Sequence, residues 1–237
     1  MAMNRQRLFP VLIFLFGAWT VQAKDTDQTR LAREEMVVKQ IAARGIEDSH
    51  VLRAMRAVPR HMFIPENEAR FAYDDRPVPI GHGQTISQPY VVAYMTEIAG
   101  IKPDARVLEI GAGSGYQAAV LAEIAQEVYT IEIVPELARW AASRLQLAGY
   151  DNVQVKQADG YYGWAEHAPF DAIMVTAAAP HIPPPLIDQL KEGGKMIIPV
   201  GNPYRVQMLV LATKQGGEVR TQNLLPVRFV PLTGGRE

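Results

Sequence analysis

The sequence predicts an α/β fold: a doubly wound, mostly parallel sheet behind an N-terminal helical extension. From Lys102 onward, short apolar runs alternate with segments of helical periodicity. Strands separated by helices of this length build βαβ units, whose strands lie parallel. A glycine-rich turn, GAGSG (111–115), joins the first run directly to the first helix. Residues 29–100 carry helical spacing and proline breaks instead, so the sheet begins only after them.

In chain order, TRLAREEMVVKQIAAR (29–44) places Leu31, Val38 and Ile41 at helical spacing, and Gly45 stops it. A second, short helix starts at Asp48 or Ser49, turns Val51, Leu52 and Met55 inward and ends before Pro59. VPRHMFIPE (58–66) is extended or turn-rich, 67–90 reads as irregular, and 91–100 as helix. RVLEIG is the first strand of the sheet, followed by the glycine turn and the helix YQAAVLAEIA. EVYTIEI, NVQVKQAD, FDAIMVTAA and KMIIPVG supply four more strands, with PELARWAASRLQLAGY and PPPLIDQL as helices between them. VQMLVLATK and LLPVRFVPL add two strands suited to an antiparallel edge. No linker divides the chain, so residues 24–237 read as one domain, with 24–100 forming its helical, substrate-side part and 101–237 its ligand-binding α/β part.

Composition narrows the chemistry. The 237 residues are 48% hydrophobic and 21% charged, enough to bury a core without staples. There is no cysteine, which excludes disulfides, thiolate nucleophiles and Cys-ligated metals. A net charge of −1 and a pI near 6.5 give no basic footprint for nucleic acid. No metal site is expected. The first residues differ in kind: Arg5 and Arg7 precede the apolar run LFPVLIFLFGAW, and VQA follows before Lys24. Basic, apolar and small-x-Ala regions in that order describe a secretory signal peptide over residues 1–23. Its run is shorter than the roughly 20 residues a membrane span needs. Cleavage would leave 22 basic against 25 acidic residues and a periplasmic or secreted protein without stable membrane association; an uncleaved or misassigned start would leave it cytoplasmic.

The sharpest motif is VLEIGAGSGY (107–116), with Gly111, Gly113 and Gly115 between a strand and a helix. Glycines there let the backbone approach a ligand at the carboxyl end of the sheet. The spacing is G-x-G-x-G with Tyr116 next, not the G-x-G-x-x-G of a dinucleotide site. That argues against a NAD-linked oxidoreductase and resembles the first motif of class I, S-adenosylmethionine-dependent methyltransferases, whose sheet is Rossmann-like. Glu132 ends the second strand 21 residues beyond Gly111, where an acid accepts from both ribose hydroxyls. Asp159 follows the third strand, placed for the adenine amino group, and Glu109 stands where it would meet the ligand's cationic amino group, directly or through water.

The segments VPRHMFIPE, GQTISQPYVVAYMTE (83–97), VLEIGAGSGYQAAVLAEI, YTIEIVPELA, APFDAIMVTAAAPHIPPPLIDQL (168–190) and LLPVRFVPLTG (224–234) together resemble the protein-L-isoaspartate O-methyltransferase family, from about residue 31 to 234. VPRH and TIS-Q-P are the most specific of these. Two positions depart from the family: Ala158 of ADG, where GDG is common, and His181 after AAAP, where an acid is common. The resemblance implies methyl transfer from S-adenosylmethionine to the α-carboxylate of L-isoaspartyl residues in damaged proteins and peptides. The ester closes to a succinimide, and hydrolysis returns part of it as normal aspartyl. It implies Ser87 as the catalytic residue, acting by orientation, with Thr85, Ile86 and Gln88 around the acceptor carboxylate. It also implies a place for His61 on the substrate side and a peptide groove along Val230–Leu232. The partners would be isoaspartyl proteins and peptides, and the protein a monomer.

The chemistry suits the segment GHGQTISQPY (81–90), which holds no acid, Lys or Arg. A carboxylate with an ordinary pKa near 3.5 arrives ionised, so no general base is needed, and neutral donors suffice to aim it. Thr85 or Ser87 also stands where an N-cap for the following helix belongs. Two further functions share these features: a non-catalytic damage-recognition module on the same fold, and a carboxyl methyltransferase for small molecules.

Overall fold

In a computed structural model of the protein, residues 25–235 are described. The signal-peptide expectation falls on residues 1–23, outside them. The chain enters through helix α1 (Asp27–Glu35), which widens into a π-helical stretch (Met36–Ile41) and tightens to a 3₁₀ turn (Ala42–Arg44) before Gly45. Thr26 caps α1 in a reciprocal box with Thr29. Helix α2 (Ser49–Ala57) is capped by Asp48, which accepts from the backbone N–H of His50 and Val51. Arg60–Phe63 forms a 3₁₀ turn, and a second covers Glu66–Phe71.

Residues 78–86 are more ordered than the sequence suggested. Strands β1 (Val78–Gly81) and β2 (Gln84–Ile86) pair antiparallel as a hairpin. His82 turns it with φ +52° between Gly81 and Gly83, both also left-handed. Pro77 and Pro79 had masked any strand signal there. Helix α3 (Pro89–Ala99) begins directly after, with Gln88 at the N-cap and no side-chain capping bond. Neither Thr85 nor Ser87 caps it. Gln88 occupies the N-cap position itself, and Pro89 suits the first helical position because it has no N–H there to leave unsatisfied.

The main sheet has the order β5-β4-β3-β6-β7-β8-β9. Its strands are β3 (Arg106–Ile110), β4 (Glu127–Glu132), β5 (Val153–Gln157), β6 (Phe170–Val175), β7 (Leu190–Val200), β8 (Gln207–Gln215) and β9 (Glu218–Val227). The pairings from β5 through β7 are parallel, and β8 and β9 complete an antiparallel edge. The last strand stops at Val227, and Val230 to Leu232 lie beside Ala178, with a parallel bridge between Ala178 and Pro231. Between strands run α4 (Tyr116–Ala122), α5 (Pro135–Leu147) and the single-turn-and-a-half α6 (Pro184–Asp188).

Strand alternation sorts the core onto two faces. Leu108, Ile110, Tyr129, Ile131, Ile173 and Val175 pack on one, against Leu186 of α6. Val107, Val128, Ala172 and Met174 point to the other, where one apolar cluster joins them to α3, α4, α5 and the N-terminal helices through Met36, Met55, Phe63, Met95 and Tyr116. The N-terminal part therefore shares the sheet's own core. One position breaks the alternation. Glu109 lies between Val107 and the strand end on that second face, wholly buried. Along β3 the pattern calls for an apolar residue there, so the carboxyl has a reason other than packing.

Candidate functional site

Strand β3 has β4 on one side and β6 on the other, so connections from it diverge in both directions. That is the switch point at which open α/β sheets bind ligands, beyond the carboxyl ends of the strands. A cleft open to solvent lies there. Its walls come from Glu109–Ser114, Tyr116, Gln117, Ile131–Val134, Gly160, Thr176 and the C-terminal segment Val230–Thr233, and its far rim from Gln84–Ser87.

The glycine turn shapes the floor. Gly111 has φ +96°, and a Cβ on it would stand 2.5 Å from Oγ1 of Thr176. The Thr176 hydroxyl reaches the carbonyls of Ile110 (2.9 Å) and Gly111 (2.6 Å), tying the end of β6 to the loop. Glu132 holds the loop from the other side. Its Oε2 accepts from Gly113 N at 2.8 Å and its Oε1 from Val134 N at 2.9 Å. Each carboxylate oxygen keeps a further lone-pair direction.

Glu109 is paired with Thr130 across β3 and β4, and the Thr130 hydroxyl donates to Glu109 Oε2. Oε1 of the same carboxyl is buried without a hydrogen-bond partner. Burial, with the Glu132 charge adding to it, pushes the Glu109 carboxyl up to about 8, against the opposing Thr130 bond. Asp159 stands just behind the wall: Gly160 lines the cleft, while the Asp159 carboxylate accepts from Tyr161 N (2.9 Å) and Gly235 N (2.7 Å). The cleft-facing residues of the glycine loop, Glu109 and Glu132 are thus brought together, with Asp159 at the margin.

A second groove adjoins the first. It is lined by Arg44, Pro77, Thr85, Ser87, Gln88, Tyr90, Val91, Thr176 and Leu225–Val230. Thr85, Ser87, Thr176 and Val230 belong to both, so the two spaces meet at Ser87. Ile86 lines the first cleft, and the Gln88 amide donates to the carbonyl (3.1 Å) and Oδ1 (2.8 Å) of Asp75. His61 lines neither space. It is buried, with Nδ1 2.7 Å from the Tyr73 hydroxyl. Its neighbour Arg60 is the member of VPRH that reaches the site's frame, donating to the Ser87 carbonyl.

Sequence reasoning did not single out Thr176, Gln117 or Arg60. Thr176 had a readable signal, a hydroxyl residue directly after the apolar run 172–175 of the fourth parallel strand. Gln117 and Arg60 sit in segments whose spacing carries no such mark.

Comparison with known proteins decides what this geometry belongs to. The family model for protein-L-isoaspartate(D-aspartate) O-methyltransferase matches residues 31–237. The chain belongs to that family. It is 60% identical over 201 residues to the protein-L-isoaspartate O-methyltransferase of Opitutus terrae, covering 85% of this chain and 86% of that one. With protein-L-isoaspartate O-methyltransferase 2 of Syntrophobacter fumaroxidans it shares 54% identity over 235 residues, 95% of each chain. A solved structure described as a protein-L-isoaspartate O-methyltransferase from Plasmodium falciparum, in complex with S-adenosyl-L-homocysteine, superposes with a TM-score of 0.75 at 30% identity, covering 85% of this chain and 98% of that one. As a family member the protein is an S-adenosylmethionine-dependent carboxyl methyltransferase.

The residues present fit that cofactor. The buried, unpartnered Oε1 of Glu109 suits a cationic ammonium group. Gly111 leaves room that a Cβ would fill. Glu132 presents two acceptor oxygens, suited to a vicinal diol, and no basic side chain lines the first cleft to call for a phosphate. Among the described residues no cluster suited to a metal ion occurs.

Proposed function

We propose that Ser87 marks the point of methyl transfer, with the cofactor in the first cleft and the isoaspartyl segment of a damaged protein in the second. The observation that carries this reading is the sharing of Thr85, Ser87, Thr176 and Val230 by the two spaces. In the bound state S-adenosylmethionine supplies an electrophilic methyl group on a sulfonium. The Glu132 carboxylate would accept from its ribose hydroxyls and Glu109 from its ammonium, while Asp159, held behind the wall by Tyr161 N and Gly235 N, would stand at the adenine end.

On the acceptor side the residues need only hold and aim. The α-carboxylate comes ionised at neutral pH, so no group takes a proton from it. Ser87 and Thr85 supply hydroxyl donors at the junction, and the turn between β2 and α3 supplies backbone ones. A lysine there would bind the ground-state carboxylate more tightly and dull its nucleophilicity; no lysine lines either space, and of the two arginines of the second groove, Arg44 and Arg228, the first is paired with Asp75. The apolar wall of Val230, Pro231 and Leu232 beside the reacting groups excludes water. That favours a reaction in which opposite charges annihilate. The remaining requirement is alignment of oxygen, methyl and sulfur, a positioning contribution that reaches roughly 7–11 kcal/mol in favourable cases.

A groove open to a chain, rather than a closed pocket, favours peptide over small-molecule acceptors. Competition tests this: an isoaspartyl peptide is expected to be methylated in the presence of excess free dicarboxylic acids, without transfer to them. Label on the free acids alone would turn the reading into a small-molecule methyltransferase.

We also propose that residues 1–23 direct export and are removed, leaving a periplasmic or secreted monomer without stable membrane association. The basic–apolar–small-residue order of those residues supports it. No helix among the described residues is long and apolar enough to cross a membrane. Mass spectrometry of the protein from its native cell is expected to find Lys24 as the first residue; an intact Met1 on a cytoplasmic protein would refute export.

A further inference from the structure

Arg60 is the largest wholly buried side chain among the described residues, with no exposed surface. No salt bridge is recorded for it among the described residues. Its Nε donates to the Ala72 carbonyl at 2.7 Å, and its Nη2 to the Ser87 carbonyl at 2.7 Å. Nη1 has no hydrogen-bond partner. The guanidinium carbon lies 4.8 Å from the centre of the Tyr116 ring. Tyr116 is itself buried and is the first residue of α4, directly after Gly115.

Burying a cation without a carboxylate is costly, and an apolar side chain of similar volume would fill the space without that cost. What a hydrocarbon could not do is bond two carbonyls from separate segments while lying over an aromatic face. The three attachment points are also informative. Ala72 belongs to the turn before β1, Ser87 is the junction of the two grooves, and Tyr116 begins the helix that carries the glycine loop. Arg60 lines neither groove, so it reaches no ligand itself. The need for an anchor at Ser87 is local. The turn between β2 and α3 carries no side-chain cap, and Pro89 offers no N–H to brace it.

We propose that Arg60 is a positioning residue for the reaction, holding the Ser87 turn at a fixed distance from the glycine loop and so setting the gap across which the methyl group moves. This rests on the reading of Ser87 as the acceptor-side residue. The lever is sensitive: a displacement of about 1 Å at a reacting centre can cost about 100-fold in rate. The cofactor contacts proposed for Glu109, Glu132 and the loop backbone do not involve Arg60 itself and should survive its loss.

The test uses R60K and R60M in the full mature chain, with wild type and S87A alongside, on one isoaspartyl peptide. For each, S-adenosylhomocysteine affinity is measured by calorimetry, folding by thermal denaturation, and kcat and KM separately. R60K keeps a buried cation able to bond one carbonyl; it carries the test if R60M does not fold. The expected result is cofactor affinity within about threefold of wild type and kcat lower by about 100-fold. In the S87A background, R60K should cost far less than it does alone, because it acts through the same turn. The proposal is overturned if folded R60K or R60M turns over at the wild-type rate, if cofactor affinity falls in step with kcat, or if the R60K and S87A losses multiply in full. Failure of wild type to methylate the peptide would instead overturn the reading of the site.

Discussion

The Thr130 hydroxyl donates to one oxygen of the Glu109 carboxyl across paired positions of β4 and β3, and the other oxygen is buried with no partner. A carboxyl so placed is satisfied on one side only. Burial raises it to about 8, so it is protonated at neutral pH in the free protein. A cationic ammonium beside Oε1 would select the ionised form.

Cofactor binding is therefore expected to release a proton at pH 7, and affinity to rise with pH until about 8 and then level off. Calorimetry in buffers of different ionisation enthalpy measures the proton directly. Glu109→Gln should remove the pH slope and weaken binding at pH 9. The same group makes a stability prediction. Its folded-state value is raised, so the fold favours the protonated form, and stability falls as pH rises from the unfolded carboxyl range through about 8. Glu109→Gln should melt with less dependence on pH across that window. Binding with no proton released would place the ammonium elsewhere.

Ser87→Ala is expected to lower kcat by about 100-fold, the scale for removing one oriented donor from a reacting centre. Cofactor affinity should stay within about threefold, because the Glu109, Glu132 and glycine-loop contacts are untouched. An unchanged rate would remove the hydroxyl from the mechanism.

Glu132 accepts from Gly113 N and Val134 N and is placed for the ribose hydroxyls as well. Glu132→Gln replaces one acceptor oxygen by a donor, and hydrogen bonds to a charged group carry about 1.5–3 kcal/mol each. Cofactor affinity should drop by roughly 10- to 150-fold by that measure, with kcat at saturation less affected. Full affinity in this variant would assign the ribose to another residue.

Gly111→Ala meets two obstacles, a left-handed backbone and the Thr176 hydroxyl 2.5 Å from the new methyl. The backbone alone costs about 1–2 kcal/mol, so the variant should melt earlier and bind cofactor weakly. Adding Thr176→Ala should recover part of the loss, the part due to overlap. No change in melting on Gly111→Ala would mean that the loop relaxes at no cost.

The parallel core was readable because its signals are local. Apolar runs of strand length, helical spacing between them and three glycines at one strand end mark β3 to β7 without reference to anything distant. Glu132 was legible for the same reason, and Glu109 because a carboxyl interrupts a buried strand. The β1–β2 hairpin was not, since its strands are short, broken by Pro77 and Pro79, and turned by His82 in a conformation that its residue type does not announce. Ser87 was named through resemblance, and it does not cap α3 because Gln88 occupies the N-cap position. His61 was placed on the substrate side from its motif, whereas the structure turns it to Tyr73 and gives the contact with Ser87 to Arg60. Thr176 was marked only as a hydroxyl after an apolar run; its links to loop, cleft and groove are tertiary contacts.

The measurement that bears most directly on the central claim gives mature protein and methyl-labelled S-adenosylmethionine two peptides that differ only in one linkage, isoaspartyl in one and aspartyl in the other. Base-labile label on the isoaspartyl peptide alone is the expected result. Equal labelling of both, or no labelling of either while the cofactor is bound, would contradict it.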